Sequence, residues 1–341
     1  MILTKISKGS VPEFLKRLMA GYEVVAPVEK DGKFAFSVIS DPAKVRLDYD
    51  TTILPPKQFL MPPEEKLMEF RRDGSPAKET IDETKRILFG VHPCDIWGMT
   101  ILDWIFAGKY PDPYYQTRRK NTIIVGLNCT GPRNEYCFCQ SMGTYTVDKG
   151  YDLMLMEEGD NYIVHIKTDA GNQIVRQNSD MFTDATADDT KELSNTLVNK
   201  KMKAKFKRKL DIRNISELLD FTYGSPVWKE FGDRCLACGA CSYVCPDCYC
   251  FYVKDKMDLG LQNGERDRSW DCCLYVDFAR CAGGHNFRKD RATRLKMRFF
   301  HKEKSFMDDY GRRACVGCGR CIKSCPAKID LTEIFAKLRG G

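Results

Sequence analysis

The sequence predicts an α/β domain at the amino terminus followed by a mostly α domain built around a repeated cysteine string, and three observations carry that prediction. The first half holds two short apolar runs, Arg86–Val91 and Asn121–Leu127, each suited to a buried strand and each followed closely by a cysteine. The second half carries one string twice: Cys235, Cys238, Cys241 and Cys245 before Pro246, then Cys315, Cys318, Cys321 and Cys325 before Pro326. Between the halves, from Asp180 to Lys209, the composition becomes polar and then basic. Residues 1–190 are therefore expected to form the α/β domain, 191–224 a basic linker or helix, and 225–341 the cysteine domain.

The elements follow in order. Ser10 and Glu13 have capping-box spacing, Pro12 suits a first helical turn, and Gly21 ends the pattern. Strands over 22–28 and 34–39 flank Lys30-Asp31-Gly32-Lys33, a hairpin signal. The strand 86–91 runs into Pro93-Cys94-Asp95, read as a cysteine turn, and then into a helix through Met99, Leu102, Trp104 and Ile105. The strand 121–127 runs into Cys129. Cysteines at the carboxyl ends of adjacent strands would stand where open α/β sheets place their ligands. Alternation over 151–174 reads as strands around a turn at Gly159-Asp160-Asn161. A helix over 215–221 precedes Ser225-Pro226, which opens another through Trp228 and Phe231.

Each repeated string reads C-x-x-C-x-x-C-x-x-x-C-P, the run that holds a pair of 4Fe-4S clusters in bacterial-type ferredoxins. Three thiolates two residues apart on a tight loop wrap one cube, while the fourth points away and serves the other. The spacing therefore assigns Cys235, Cys238, Cys241 and Cys325 to one cluster, and Cys315, Cys318, Cys321 and Cys245 to the second. Gly239 and Gly319 follow the second cysteine of each run, where the lack of a side chain lets backbone amides approach the sulfurs. A zinc site would use two C-x-x-C pairs with a longer gap. Cys315 lies 80 positions after Cys235, against roughly 30 in a free-standing two-cluster ferredoxin, so residues 249–311 are an insertion in a ferredoxin-like domain.

Nine further cysteines fall into two groups, four in the first domain and five, Cys281 included, after the first string. Cys94, Cys129, Cys137 and Cys139 make one complete ligand set for a third 4Fe-4S cluster or, second, for zinc; buried packing is the competing reading. Cys248, at the edge of the insertion, and Cys250, Cys272 and Cys273 within it are candidates for a further site, with packing beside a neighbouring cube the equal alternative. Cys281 has no assigned role. Iron through these cysteines is the only metal expected.

Seventeen cysteines in a chain with 43% hydrophobic and 30% charged residues imply reduced thiolates serving metal rather than disulfides. Nothing at the amino terminus reads as an export signal, and no apolar stretch reaches about 18 residues, so a cytoplasmic location without a membrane span is expected. Oxygen-labile clusters would require an anaerobic or low-potential environment. The net charge of +7 owes much to Lys200, Lys201, Lys203, Lys205, Lys207, Arg208 and Lys209. This run is read as a solvated helix or linker, and no nucleic-acid partner is expected. His92, His165, His285 and His301 form no metal-ligand spacing. No dinucleotide fingerprint, phosphate loop or nucleophile elbow is present.

Taken together, His92-Pro-Cys94-Asp95, Asn128-Cys129, Cys137-Phe-Cys139-Gln-Ser-Met-Gly-Thr144, Cys245-Pro-Asp-Cys248-Tyr-Cys250, Trp270-Asp-Cys-Cys273, Gly283-Gly-His-Asn-Phe-Arg288 and Cys315-Val-Gly-Cys-Gly-Arg-Cys321 resemble one iron-sulfur subunit family. Its members are the A subunit of anaerobic sulfite reductase and the beta subunit of the cytoplasmic nickel-iron sulfhydrogenase. The resemblance runs from residue 85 to the end. It implies a non-catalytic electron carrier in a hetero-oligomeric oxidoreductase, between a flavoprotein NAD(P)H-linked subunit and a catalytic subunit of sulfite reductase or hydrogenase type. Cys94, Cys129, Cys137, Cys139, Cys248, Cys250 and Cys273 match family cysteines, whereas Cys272 and Cys281 depart from the pattern. Two rivals stand beside this reading: a self-sufficient oxidoreductase in which Cys94 or Asp95 acts on a substrate, and an iron-sulfur redox sensor using the basic run.

Overall fold

The computed structural model describes residues 2–340. The first part runs β1 (Ile2–Ser7), α1 (Val11–Met19), β2 (Glu23–Lys30), β3 (Lys33–Val38), β4 (Glu64–Arg71), β5 (Lys78–Glu79), β6 (Arg86–Val91), α2 (Pro93–Phe106), α3 (Pro113–Lys120), β7 (Thr122–Leu127), β8 (Leu153–Glu158), β9 (Asn161–Ile166), α4 (Asp169–Gln177), β10 (Thr183–Asp184) and α5 (Ala187–Lys203). Eight strands form one sheet in the order β10-β1-β9-β8-β7-β6-β2-β3. Its centre, β2, β6, β7 and β8, is parallel, and the flanking pairs are antiparallel. Every residue of β6 is buried, which is why that strand reads as a continuous apolar run. Because β6 and β7 are parallel neighbours, the cysteines that follow them emerge at the same edge of the sheet.

Three local expectations are corrected. No capping box forms at Ser10: the residue ends a 3-10 turn with φ −83° and ψ −12°, so its hydroxyl cannot fold back over the helix, and Ser7 caps that turn instead. Cys94 does not lie in a turn, because α2 begins at Pro93 and takes it into its first turn. Strand structure stops at Ile166, after which Thr168 caps α4 by accepting from the Gly171 amide.

The second part runs α6 (Ile215–Phe221), α7 (Val227–Arg234), α8 (Ala240–Tyr243), β11 (Phe251–Met257), β12 (Asn263–Trp270), α9 (Arg291–Phe300), a π-helical turn His301–Ser305, α10 (Phe306–Tyr310), α11 (Arg320–Lys323) and α12 (Leu331–Leu338). The hairpin β11–β12 crosses back to β4, giving a second sheet ordered β11-β12-β4-β5. Arg268 on β12 is buried against Glu65 of β4 and Asp112, and Arg118 meets the same Glu65 at 2.5 Å. The two parts also touch at Gly98 of α2, where a Cβ would lie 2.6 Å from that of Pro246. Gly98 is what lets the first cysteine run lie against α2. Of the basic run, Lys207 is paired to Glu135 and Arg208 to Asp330, both at 2.6 Å, so these cations join the linker to both parts of the chain. Among the described residues, no helix is long and apolar enough to cross a membrane.

Candidate metal centre

All eight cysteines of the two strings line one cavity. Its other walls are mostly apolar, with Phe138, Leu274, Leu295, Phe299, Val316 and Leu331 among them. The loops that shape it repeat one backbone device. Ala237 and Gly239 in the first run have φ of +51° and +80°, and Gly317 and Gly319 in the second have +65° and +76°. Successive left-handed residues turn amides toward one concavity, and the Ala237 amide lies 3.4 Å from the Cys235 sulfur. The second run needs glycine where the first tolerates alanine, because a Cβ at Gly317 would lie 2.7 Å from the Cys139 backbone. A Cβ at Gly319 would meet the Tyr136 carbonyl.

Cys325 and Cys238 both act electrostatically on Cys235. Cys321 stands within reach of both Cys318 and Cys241, so the two sets adjoin. Burial raises the thiols of Cys241 and Cys318 to about 11 and that of Cys321 to about 12. These thiols are neutral at pH 7 unless a metal displaces their protons. Thiol donors, apolar walls and left-handed glycine loops together fit 4Fe-4S cubes. The crossover has a direct test: Cys245→Ala should perturb the same paramagnetic signal as Cys318→Ala, and a match to the signal lost in Cys238→Ala would contradict the assignment.

Cys94, Cys129, Cys137 and Cys139 are all buried and belong to one side-chain cluster that also contains Cys318. Cys139 and Cys318 act on Cys94, and Cys137 and Cys129 act on Cys139. The loop carrying Cys137 and Cys139 is tied to the second run by the Phe138 amide donating to the Gly317 carbonyl at 2.9 Å. The Thr144 hydroxyl donates to the Val316 carbonyl at 2.6 Å. Phe206, Phe306, Ala314 and Val316 complete the shell, so this group lies between the large sheet and the second run.

In the insertion, Cys250 and Cys272 both act on Cys273 and hold its thiol low, and Cys248 acts on Cys250. The Cys272 thiol also donates to the Ser242 hydroxyl at 3.2 Å and accepts from the Leu274 amide. The structure thus brings these four near one another, while the thiol of exposed Cys281 stands apart and reaches the Ala279 carbonyl at 3.9 Å.

Sequence reasoning missed the buried charges. The Arg320 guanidinium, inside the second run, makes a bidentate pair with Asp95 at 2.6 and 2.8 Å and also donates to the Thr52 carbonyl. Asp95 is 0% exposed and Arg320 2%. Lys302 pairs with Asp247 at 2.6 Å beside Cys245, and Arg298 donates to Cys248 Sγ at 3.3 Å and to the Cys241 carbonyl at 3.0 Å. Lys57 donates to the Cys248 carbonyl and lies over the Trp270 ring. Buried cations beside thiolate ligands offset negative charge that a low-dielectric interior would otherwise oppose. The π-helical turn turns Lys302 and Glu303 inward together, and burial pushes the Glu303 carboxyl up to about 7 against the opposing pull of Lys302 and Arg313. Asp95 is fully buried, and both of its carboxylate oxygens are taken by Arg320.

Comparison with known proteins places a two-cluster domain over the two strings. The 4Fe-4S dicluster domain family matches residues 234–329. Sulfhydrogenase 2 subunit beta of Pyrococcus furiosus is 36% identical over 341 residues, spanning 100% of this chain and 99% of that protein.

Proposed function

The chain belongs to the family of the sulfhydrogenase beta subunits, and from that premise we propose that it is the electron-transfer subunit of a cytoplasmic oxidoreductase complex working without oxygen. In this reading it stands between a flavoprotein subunit linked to NAD(P)H and a catalytic subunit. A hydrogenase-type catalytic subunit is favoured over a sulfite-reducing one by the name of the full-length relative. Three 4Fe-4S clusters, when bound, supply one-electron chemistry at the two strings and at the amino-terminal four cysteines.

One observation carries the reading: the three thiol groups form an unbroken row. Cys94, Cys129, Cys137 and Cys139 share one side-chain cluster with Cys318, and Cys318 lines one cavity with Cys241 and the rest of both strings. The protein's part is to fix these positions, keep water away through Phe138, Phe299 and Val316, and set charge through Arg298, Lys302 and Arg320. The insertion cysteines are assigned to packing beside these groups, because the Cys272 thiol is already engaged by the Ser242 hydroxyl and the Leu274 amide.

The purified chain should bleach on addition of a reduced low-potential dye and stay oxidised with NADH alone, NADH becoming effective once the flavoprotein subunit is added. Tight binding of flavin or direct oxidation of NADH by the isolated chain would contradict the proposal.

A further inference from the structure

We propose that the surface around Cys238 is the docking site for a redox protein with an acidic contact face and its own one-electron centre, and that electrons enter or leave the chain there. The inference deepens the electron-transfer reading and rests on it. Among the described residues of the two strings, Cys238 alone is exposed; the other seven are buried or half-buried, and the amino-terminal four are all buried. Electron tunnelling falls off exponentially with distance. A partner therefore exchanges electrons fastest where a ligand sulfur reaches the surface.

That surface is apolar where a contact would form. Leu236 is 60% exposed, Val276 51% and Phe287 74%, and three large apolar side chains held in water beside one ligand loop mark an interaction site. The loop that carries Val276 and Phe287 is fixed in place. The Tyr275 hydroxyl lies 3.4 Å from the Cys238 carbonyl, and the Tyr275 ring fills the space a Cβ at Gly239 would take. The Asn286 amide donates to the Val276 carbonyl and its oxygen accepts from the Arg288 amide. Arg294 donates to the carbonyls of Leu274, Arg288 and Lys289, and Arg291 to that of Cys235 at 2.9 Å. A surface held in this way loses little conformational entropy on docking.

The rim sets the sign of the partner. Lys289, Arg291 and Lys328 are exposed around the patch, and Arg234 beside them reaches the Lys328 carbonyl at 3.2 Å while facing Glu333 at 3.9 Å. The nearby carboxylates are already engaged: Asp277 meets Arg280, Asp290 caps α9 through Thr293, and Asp233 meets Lys229. A basic rim attracts an acidic face and disfavours a second copy of this chain through the same patch. In the exchange, one electron leaves the reduced centre of the partner, which is oxidised, and reduces the iron held by Cys235, Cys238, Cys241 and Cys325, or passes in reverse. No proton or group moves with it.

The test uses the full chain in the complex isolated anaerobically from its host, comparing the unaltered protein with Phe287→Ala and Lys289→Glu. Both side chains are exposed, so folding is not at issue. The proposal expects NAD(P)H-driven bleaching to slow roughly ten-fold or more in each variant, or a redox subunit present with the unaltered chain to be lost. Bleaching by reduced viologen and iron content should stay unchanged. Unchanged NAD(P)H-driven bleaching and subunit composition would overturn the proposal, as would variants that alter only self-association. If the unaltered chain takes no electrons even from viologen, the electron-transfer reading itself fails, whichever surface is used.

Discussion

Replacing Asp95 with Ala should destabilise the folded chain by about 3–5 kcal/mol, the cost of leaving a buried cation without its partner. Arg320 is 2% exposed and its two bonds to Asp95 join the second cysteine run to the helix that carries Cys94. Loss of the pair should loosen the second run and the amino-terminal group together. The measurement is the urea midpoint of the holoprotein, followed anaerobically by cluster absorbance. Because bound metal departs from simple two-state behaviour, iron retained after gel filtration is read alongside it. The double change Asp95→Leu with Arg320→Leu should recover much of the loss, since no unpaired charge then remains, although the Arg320 bond to Thr52 goes with it. A single variant as stable as the unaltered chain would mean that the pair is not what joins the two groups.

The second large effect is steric. Gly317→Ala places a methyl 2.7 Å from the backbone of Cys139 in a residue with φ +65°, and Gly319→Ala drives one into the Tyr136 carbonyl at φ +76°. The left-handed backbone costs roughly 1–2 kcal/mol for a residue with a Cβ, and overpacking adds about 1–3 kcal/mol. Neither obstacle can rotate away, because both are main chain. The amino-terminal loop must therefore withdraw from the second run, and iron should be lost from both. Ala237→Gly at the corresponding place in the first run removes a Cβ the structure already accommodates, and should leave iron content unchanged. Equal behaviour of the two runs, by iron analysis and absorbance, would contradict the close contact described at Cys139.

How much of this was legible beforehand varies with the range of the interaction. The strands 86–91 and 122–127 were readable because both their faces are buried, which leaves a continuous apolar run in the sequence. Their adjacency followed from α/β connection rules, and with it the meeting of Cys94 and Cys129. The strand Glu64–Arg71 was not readable: its residues are largely polar, and its partner β12 lies some two hundred positions away in the chain. The helix after Thr168 was not readable, because Ile166 and Ile174 continue the alternation of the strands before it and Thr168 acts as a cap only once the Gly171 amide reaches its hydroxyl. The buried charges looked like surface residues one at a time. Asp95, Asp247, Arg298, Lys302 and Arg320 acquire meaning only in pairs that the folded chain creates.

Iron counting on the full chain tests the central claim, that the amino-terminal cysteines extend the two-cluster unit into a row of three. The shell of Cys94, Cys129, Cys137 and Cys139 includes residues from both parts of the chain, so the measurement belongs on the intact protein. After anaerobic reconstitution the account predicts about 12 iron atoms per chain, falling by about 4 in Cys137→Ser with the remaining clusters still reducible. A count of about 8 that Cys137→Ser leaves untouched would contradict it, and would make those four thiols packing residues beside a two-cluster protein.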